Sequence, residues 1–213
     1  MKHTLFIIFV ILTVTSCKQV KKPDFKFQDQ PDLFSCSSVD MELTKEAVYV
    51  FEDYISEHYA FLSHQPAEGY HNYLKLLLDD RSPAGEFFSD YLIEFKDYLK
   101  SQDELWIVSN GQLRLNNDHE LVTCIINNIQ NEELKNTIDA LVRSNTASNE
   151  LLGPILFRNK ESMISDRALA TYVVFETFFP KLFYMDSPEF VGNAEKLKMK
   201  ETIKKDDAKK IKQ

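Results

Sequence analysis

Apolar residues along most of this chain recur at intervals of three and four, the spacing of one face of an α-helix. Ala47, Val48, Phe51, Ile55 and Leu62 share a face of a helix predicted over about Met41 to Ser63. Pro66 and Gly69 interrupt the pattern, and a second helix carrying Tyr70, Tyr73, Leu74 and Leu77 is predicted to end near Asp80. Ser82-Pro83 sets a cap before a proline in a first turn. The helix it opens is predicted to align Phe87, Phe88, Tyr91, Leu92, Phe95, Tyr98 and Leu99 in one stripe. Ser101 with Glu104 reads as a capping box for a short helix through Trp106 that stops at Asn110-Gly111. A hairpin about Asn110-Gly111, flanked by Ile107-Val108 and Leu113 to Leu115, is the competing reading.

Asn117 with Glu120 is predicted to open the next helix, which carries Leu121, Val122, Ile125, Ile126 and Ile129. Leu134, Ile138, Leu141 and Val142 define another. From Ser144 to Lys160 the pattern loosens, and Gly153-Pro154 is predicted to split it into a turn and a short helix. The last helix, about Ser162 to Met185, is apolar on nearly every side from Ala168 onward, which places it at the centre of its neighbours, with a kink or stop at Pro180. Helix lengths are unequal and follow no fixed period, so a repeat array is not supported. The expected fold class is all-α, an irregular multi-helix bundle in a single domain.

The first residues change where that bundle is expected to sit. Met1-Lys2-His3 is a short positive start, Leu5 to Leu12 an unbroken apolar run too short to span a bilayer, and Val14-Thr15-Ser16-Cys17 a close of small residues before a cysteine. This end resembles the lipobox of bacterial envelope lipoproteins. The resemblance covers the leader only and implies that Cys17 becomes the acylated first residue of the mature chain. Several acyl chains, each buried methylene contributing about 0.8 kcal/mol, would hold the protein stably at a membrane. Lys18 is not the aspartate that marks inner-membrane retention in Gram-negative envelopes, and no acidic run follows Cys17. The resemblance therefore implies outer-membrane attachment facing the periplasm.

Residues 1–17 are thus expected to be a lipoprotein signal peptide and 18–35 a tether. Residues 36–190 form the helical domain, about 150 residues and enough for one sizeable core. Residues 191–213 form a lysine-rich tail, read as disordered or as a frayed helix. The net charge of −8 conceals an uneven distribution. Between Pro23 and Glu195 there are thirteen Lys and Arg against thirty Asp and Glu, while the tail from Lys196 is basic. A body this acidic repels phosphate backbones, which argues against nucleic acid as a partner and for a basic protein partner. In an oxidising periplasm the remaining cysteines, Cys36 and Cys124, form a candidate disulfide. Two buried free thiols are the rival, with Cys124 on an apolar face beside Leu121 and Ile125.

Candidate chemistry is sparse. His58, His64 and His71 are separated by Pro66 and Gly69 into two helices, and Glu68 with His71 is one Glu-x-x-His pair where a di-iron bundle needs two. His58 reads as a core histidine and His119 as an exposed first-turn residue. No serine-nucleophile elbow, zinc-protease motif, phosphate loop, dinucleotide fingerprint or Cys-x-x-Cys pair occurs. No catalytic residue, metal site or cofactor is assigned. Glu176 stands out as the one acid between Ala168 and Met185. It is either an acid in an apolar pocket for a ligand or reaction, or a structural residue that faces solvent or is paired with Arg167, Arg158 or a tyrosine hydroxyl. The structural reading is the expected one. The expected function is a lipid-anchored, non-enzymatic module that binds another protein, an immunity-type lipoprotein being one version. A carrier or enzyme with an apolar pocket near Glu176 is the alternative.

Overall fold

Helix α1 (Met41–His58) starts where the Asp40 carboxylate accepts the Leu43 N–H at 2.9 Å, and it buries Val48, Phe51 and Ile55 completely. It stops at His58, short of Ser63, and Leu62 is exposed. The computed structural model describes residues 20–60, 62–79, 81 and 88–185. Helix α2 (Pro66–Leu78) has its proline in the first turn, where no N–H is needed, and packs against α1 so closely that a Cβ on Gly69 would lie 2.8 Å from the Ile55 carbonyl oxygen. The expected start at Ser82-Pro83, with Phe87, lies outside the described residues. Helix α3 (Asp90–Lys100) is capped by Ser89, whose hydroxyl accepts from Leu92 N–H at 3.2 Å, and Phe88 precedes it.

The fold is mostly helical but not purely so. Strands β1 (Trp106–Ser109) and β2 (Gln112–Leu115) form an antiparallel hairpin where a short helix was expected. Asn110 and Gly111 both have positive φ, 52° and 77°, the backbone a two-residue type I′ turn demands. Ser101 ends α3, and of the expected helix only a 3-10 turn over Asp103–Leu105 forms before the strand. The hairpin turns Trp106 and its cross-strand partner Leu115 into the core. There the indole N–H donates to the Leu99 carbonyl at 2.8 Å and the ring meets Phe183 at 4.8 Å.

Helix α4 (Glu120–Asn128) is capped by His119, not Asn117: the ring Nδ1 accepts the Leu121 N–H at 3.1 Å. That places His119 before the helix and half-buried, a correction to its expected exposed first-turn position. Helix α5 (Glu132–Arg143) ends with Asn145 at positive φ, while Asn145 and Thr146 donate back to Val142 and Leu141. Helix α6 (Asn149–Arg158) runs straight through Gly153-Pro154. Gly153 faces Leu78 of α2 at 3.4 Å from its notional Cβ, and burial of Leu152 and Leu156 outweighs the hydrogen bond proline cannot donate.

The final apolar stretch is three pieces: α7 (Arg167–Val173), one π-helical turn over Val174–Phe178, and α8 (Phe179–Met185). The wide turn is closed by the Phe179 N–H donating to Val174 C=O, just before Pro180, which has no N–H to give Glu176 C=O. This segment is central, as its all-round hydrophobicity implied. Phe178 packs on Phe51 at 4.8 Å, and the Thr177 hydroxyl donates to Val173 C=O at 2.6 Å, so Tyr73 is the donor in its 3.0 Å bond to Thr177.

Two carboxylates on α1 are buried and satisfied. Glu46 accepts the N–H groups of Lys26 and Phe27 at 2.8 and 2.9 Å, and a short bond from the Tyr91 hydroxyl. Glu52 pairs bidentately with Arg167 at 2.6 and 3.1 Å and accepts from Tyr70, whose own deprotonation burial pushes well upward. The segment read as a tether is therefore part of the domain from Phe25 onward. Phe25 packs edge-on to Phe95 at 6.0 Å, Leu33 is buried, and Tyr49 donates to the Pro31 carbonyl at 3.0 Å. The 191–213 tail and residues 1–17 lie outside the described residues. Among those described, no helix is long and apolar enough to cross a membrane.

Candidate functional site

Glu176 sits inside the π-helical turn, and the widened register turns it away from the aromatic core that surrounds it in sequence. Tyr172, Val173, Phe175, Phe178 and Phe179 are all fully buried, while Glu176 keeps part of its surface open. The expected partners are elsewhere. Arg167 is committed to Glu52, Arg158 is exposed on α6, and no hydrogen bond or ion pair joins the Glu176 carboxyl to another described residue. Glu176 instead opens on a cleft of about 280 Å³ between β2, the start of α6 and α8. Its lining includes Gln112, Arg114, Ser148, Asn149 and Lys181, so the pocket is polar and not the apolar one considered from sequence.

Burial pushes the Glu176 carboxyl up from 4.5 to about 8, with the nearby charge of Arg114 acting the other way. The folded protein therefore binds this proton more tightly than the unfolded chain. The resulting stabilisation is complete below about pH 4.5 and is lost as pH rises to about 8. Glu176→Gln removes the titration while keeping the shape. It is expected to leave stability nearly unchanged at about pH 5 and to raise it by a few kcal/mol at about pH 8.5. Urea midpoints of both proteins at the two pH values check this; an equal difference at both would refute it.

A larger cleft, about 740 Å³, opens between the N-terminus of α1, the α3–β1 connection and the start of α4. Among the described residues five carboxylates line it, Asp40, Asp103, Glu104, Asp118 and Glu120, and no Lys or Arg does. Asp40 is already engaged as the α1 cap; Asp103, Glu104, Asp118 and Glu120 are exposed. Sequence reasoning saw the acidity of the chain but not this concentration, because the residues come from three separated segments.

Cys36 and Cys124 are joined in a disulfide with their Cα atoms 6.2 Å apart, which ties the chain before α1 to α4. The histidines do not converge: His58 lies beside Tyr54 at 5.0 Å between ring centres, and His71 against Phe157 at 5.5 Å. Among the described residues no group of three or more His, Cys, Asp or Glu is placed to hold a metal ion. Cys17 lies outside the described residues. Comparison of the chain with protein-family models, with curated proteins and with solved structures finds no match.

Proposed function

We propose that this chain is a lipid-anchored envelope protein, attached through Cys17 to the outer membrane and facing the periplasm, that binds a basic segment of another protein in its acidic cleft. The observation that carries this reading is the cleft itself: exposed carboxylates from three segments, no Lys or Arg among the described residues that line it, and a volume of about 740 Å³. The core supports binding at the surface and not inside, because the large aromatic side chains Phe51, Phe95, Phe175, Phe178 and Phe179 are fully buried against one another. The disulfide is of the kind oxidising compartments allow. Electrostatic attraction of this sort raises the association rate and weakens with salt.

Cross-linking in intact cells, followed by solubilisation in detergent, tests the reading. The protein recovered with the native chain should be basic at its contact, should dissociate as salt is raised, and should be lost when Asp103, Asp118 and Glu120 are replaced by Lys. Equal recovery with the charge-reversed chain would defeat the assignment of the cleft. The anchor is tested separately. Cys17→Ser should release the mature chain from the membrane fraction, and unchanged fractionation with a mass lacking acyl chains would remove the lipoprotein reading.

A further inference from the structure

The cleft at Glu176 is independent of the acidic one and has the opposite electrostatic character. Arg114 reaches it from β2, and its guanidinium has no hydrogen-bonded or ion-paired partner among the described residues. Lys181 lines it from α8 and also donates to the Arg81 carbonyl at 3.1 Å. Ser148 and Asn149 bring the N-terminus of α6, a ten-residue helix whose capping residue makes no side-chain bond to the first turn. Its N–H groups and dipole favour negative charge. Leu113, Pro180 and the ring of Tyr184 supply apolar wall. At about 280 Å³ the space falls below the usual range for drug-sized ligands, about 300 to 1,000 Å³, so an occupant has only a few heavy atoms.

We propose that this cleft binds a small organic monocarboxylate, its carboxylate held by the Arg114 guanidinium and the first turn of α6, its short alkyl end against Pro180 and Leu113, and the Glu176 carboxyl hydrogen-bonded to it. Arg114 provides the planar, charged donor pair that matches a carboxylate. Glu176 would repel an anion if ionised, but with its proton held to about pH 8 it is a donor at neutral pH. A carboxylate accepts that one proton and carries a single charge. A phosphate would bring a second charge towards a group that can itself ionise. Among the described residues, the charged and titratable groups facing Glu176 are Arg114 from β2, Lys181 and Tyr184 from α8, and Tyr172 one turn earlier on its own segment. An amine would meet the like charge of Arg114 beside Glu176, so it is not the favoured ligand.

Isothermal titration of the full chain in detergent with sodium butyrate tests this, with inorganic phosphate and butylamine as comparison ligands. Saturable butyrate binding at millimolar concentrations is expected near pH 6.5, weakening above about pH 8 as Glu176 ionises. Arg114→Gln, an exposed change on the hairpin that should leave the melting temperature unaltered, is expected to weaken it about tenfold or more. Glu176→Gln keeps an N–H donor, so it should still bind butyrate but without the loss above pH 8. Absence of saturable butyrate binding overturns the proposal, as does equal binding by Arg114→Gln. Binding of phosphate or butylamine in preference to butyrate overturns the choice of ligand class.

Discussion

Replacing Arg167 with Met is expected to lower the stability of this protein by about 3 to 5 kcal/mol, because it strands a buried carboxylate. Glu52 lies inside the bundle with its side chain 8% exposed, and Arg167 meets both its oxygens while the Tyr70 hydroxyl takes a further site on one of them. Methionine fills a similar volume but leaves Glu52 with one hydrogen bond in place of three. The Arg167 side chain retains 18% exposure, so water reaches the guanidinium and the loss should fall toward the lower end. Arg167 also lies 5.3 Å from the centre of the Tyr49 ring, a contact methionine partly replaces. Urea unfolding gives the difference directly. The double replacement Glu52→Leu with Arg167→Met should recover much of it, since no charge is then left unpaired. A single-variant loss below about 1 kcal/mol would mean that the pair does not hold α1 to α7.

Removing the disulfide is expected to have an effect of similar size. Cys36 and Cys124 are 88 residues apart, and in the chain-entropy picture closing a loop of that length stabilises the fold by about 4 to 5 kcal/mol. Cys36→Ser with Cys124→Ser should lower the urea midpoint accordingly, and the native chain should show the same fall when reduced. The loss should be global and not local to the residues before α1. Lys26 and Phe27 remain hydrogen-bonded to Glu46, and Phe25 remains packed between Phe95 and Tyr98. Their amides should therefore keep their exchange protection until the whole domain unfolds. Identical midpoints for native and double-serine proteins would show that the bridge constrains nothing in the unfolded chain.

The buried glutamates mark where local reading ran out. Glu52 stands four residues after Val48 and three before Ile55, on the same stripe as the core, and that spacing is the signal that it is buried. What neutralises it is Arg167, 115 residues later, which no local pattern connects to it. Once Arg167 is taken, Glu176 has no internal cation, and the π-helical turn carries it to the cleft where Arg114 of the hairpin approaches. The hairpin itself was the other divergence. Asn110-Gly111 is a strong turn pair, but Ser101 and Glu104 imitate a helix start, and Ile107 and Val108 remain exposed at 42% and 73%. With so little apolar alternation to read, strand identity rested on Trp106 finding Phe175 and Phe183 in the last helix.

Local chemistry was enough to place the cores of α1, α2, α4 and α5, the central position of the last apolar segment, and the interruption before Pro180. In each case the cause acts within a turn or two: an apolar stripe at helical spacing, or a ring nitrogen without a hydrogen. Tertiary structure alone decided the continuity of α6 across Gly153-Pro154, the absorption of residues 25–35 into the domain, the partner of Arg167 and the gathering of acids from three segments into one cleft. Those outcomes depend on which surfaces meet across long separations in sequence. A hydrogen-bonding or charged side chain takes whichever partner the packing of apolar faces brings within reach, and that packing is a property of the whole chain.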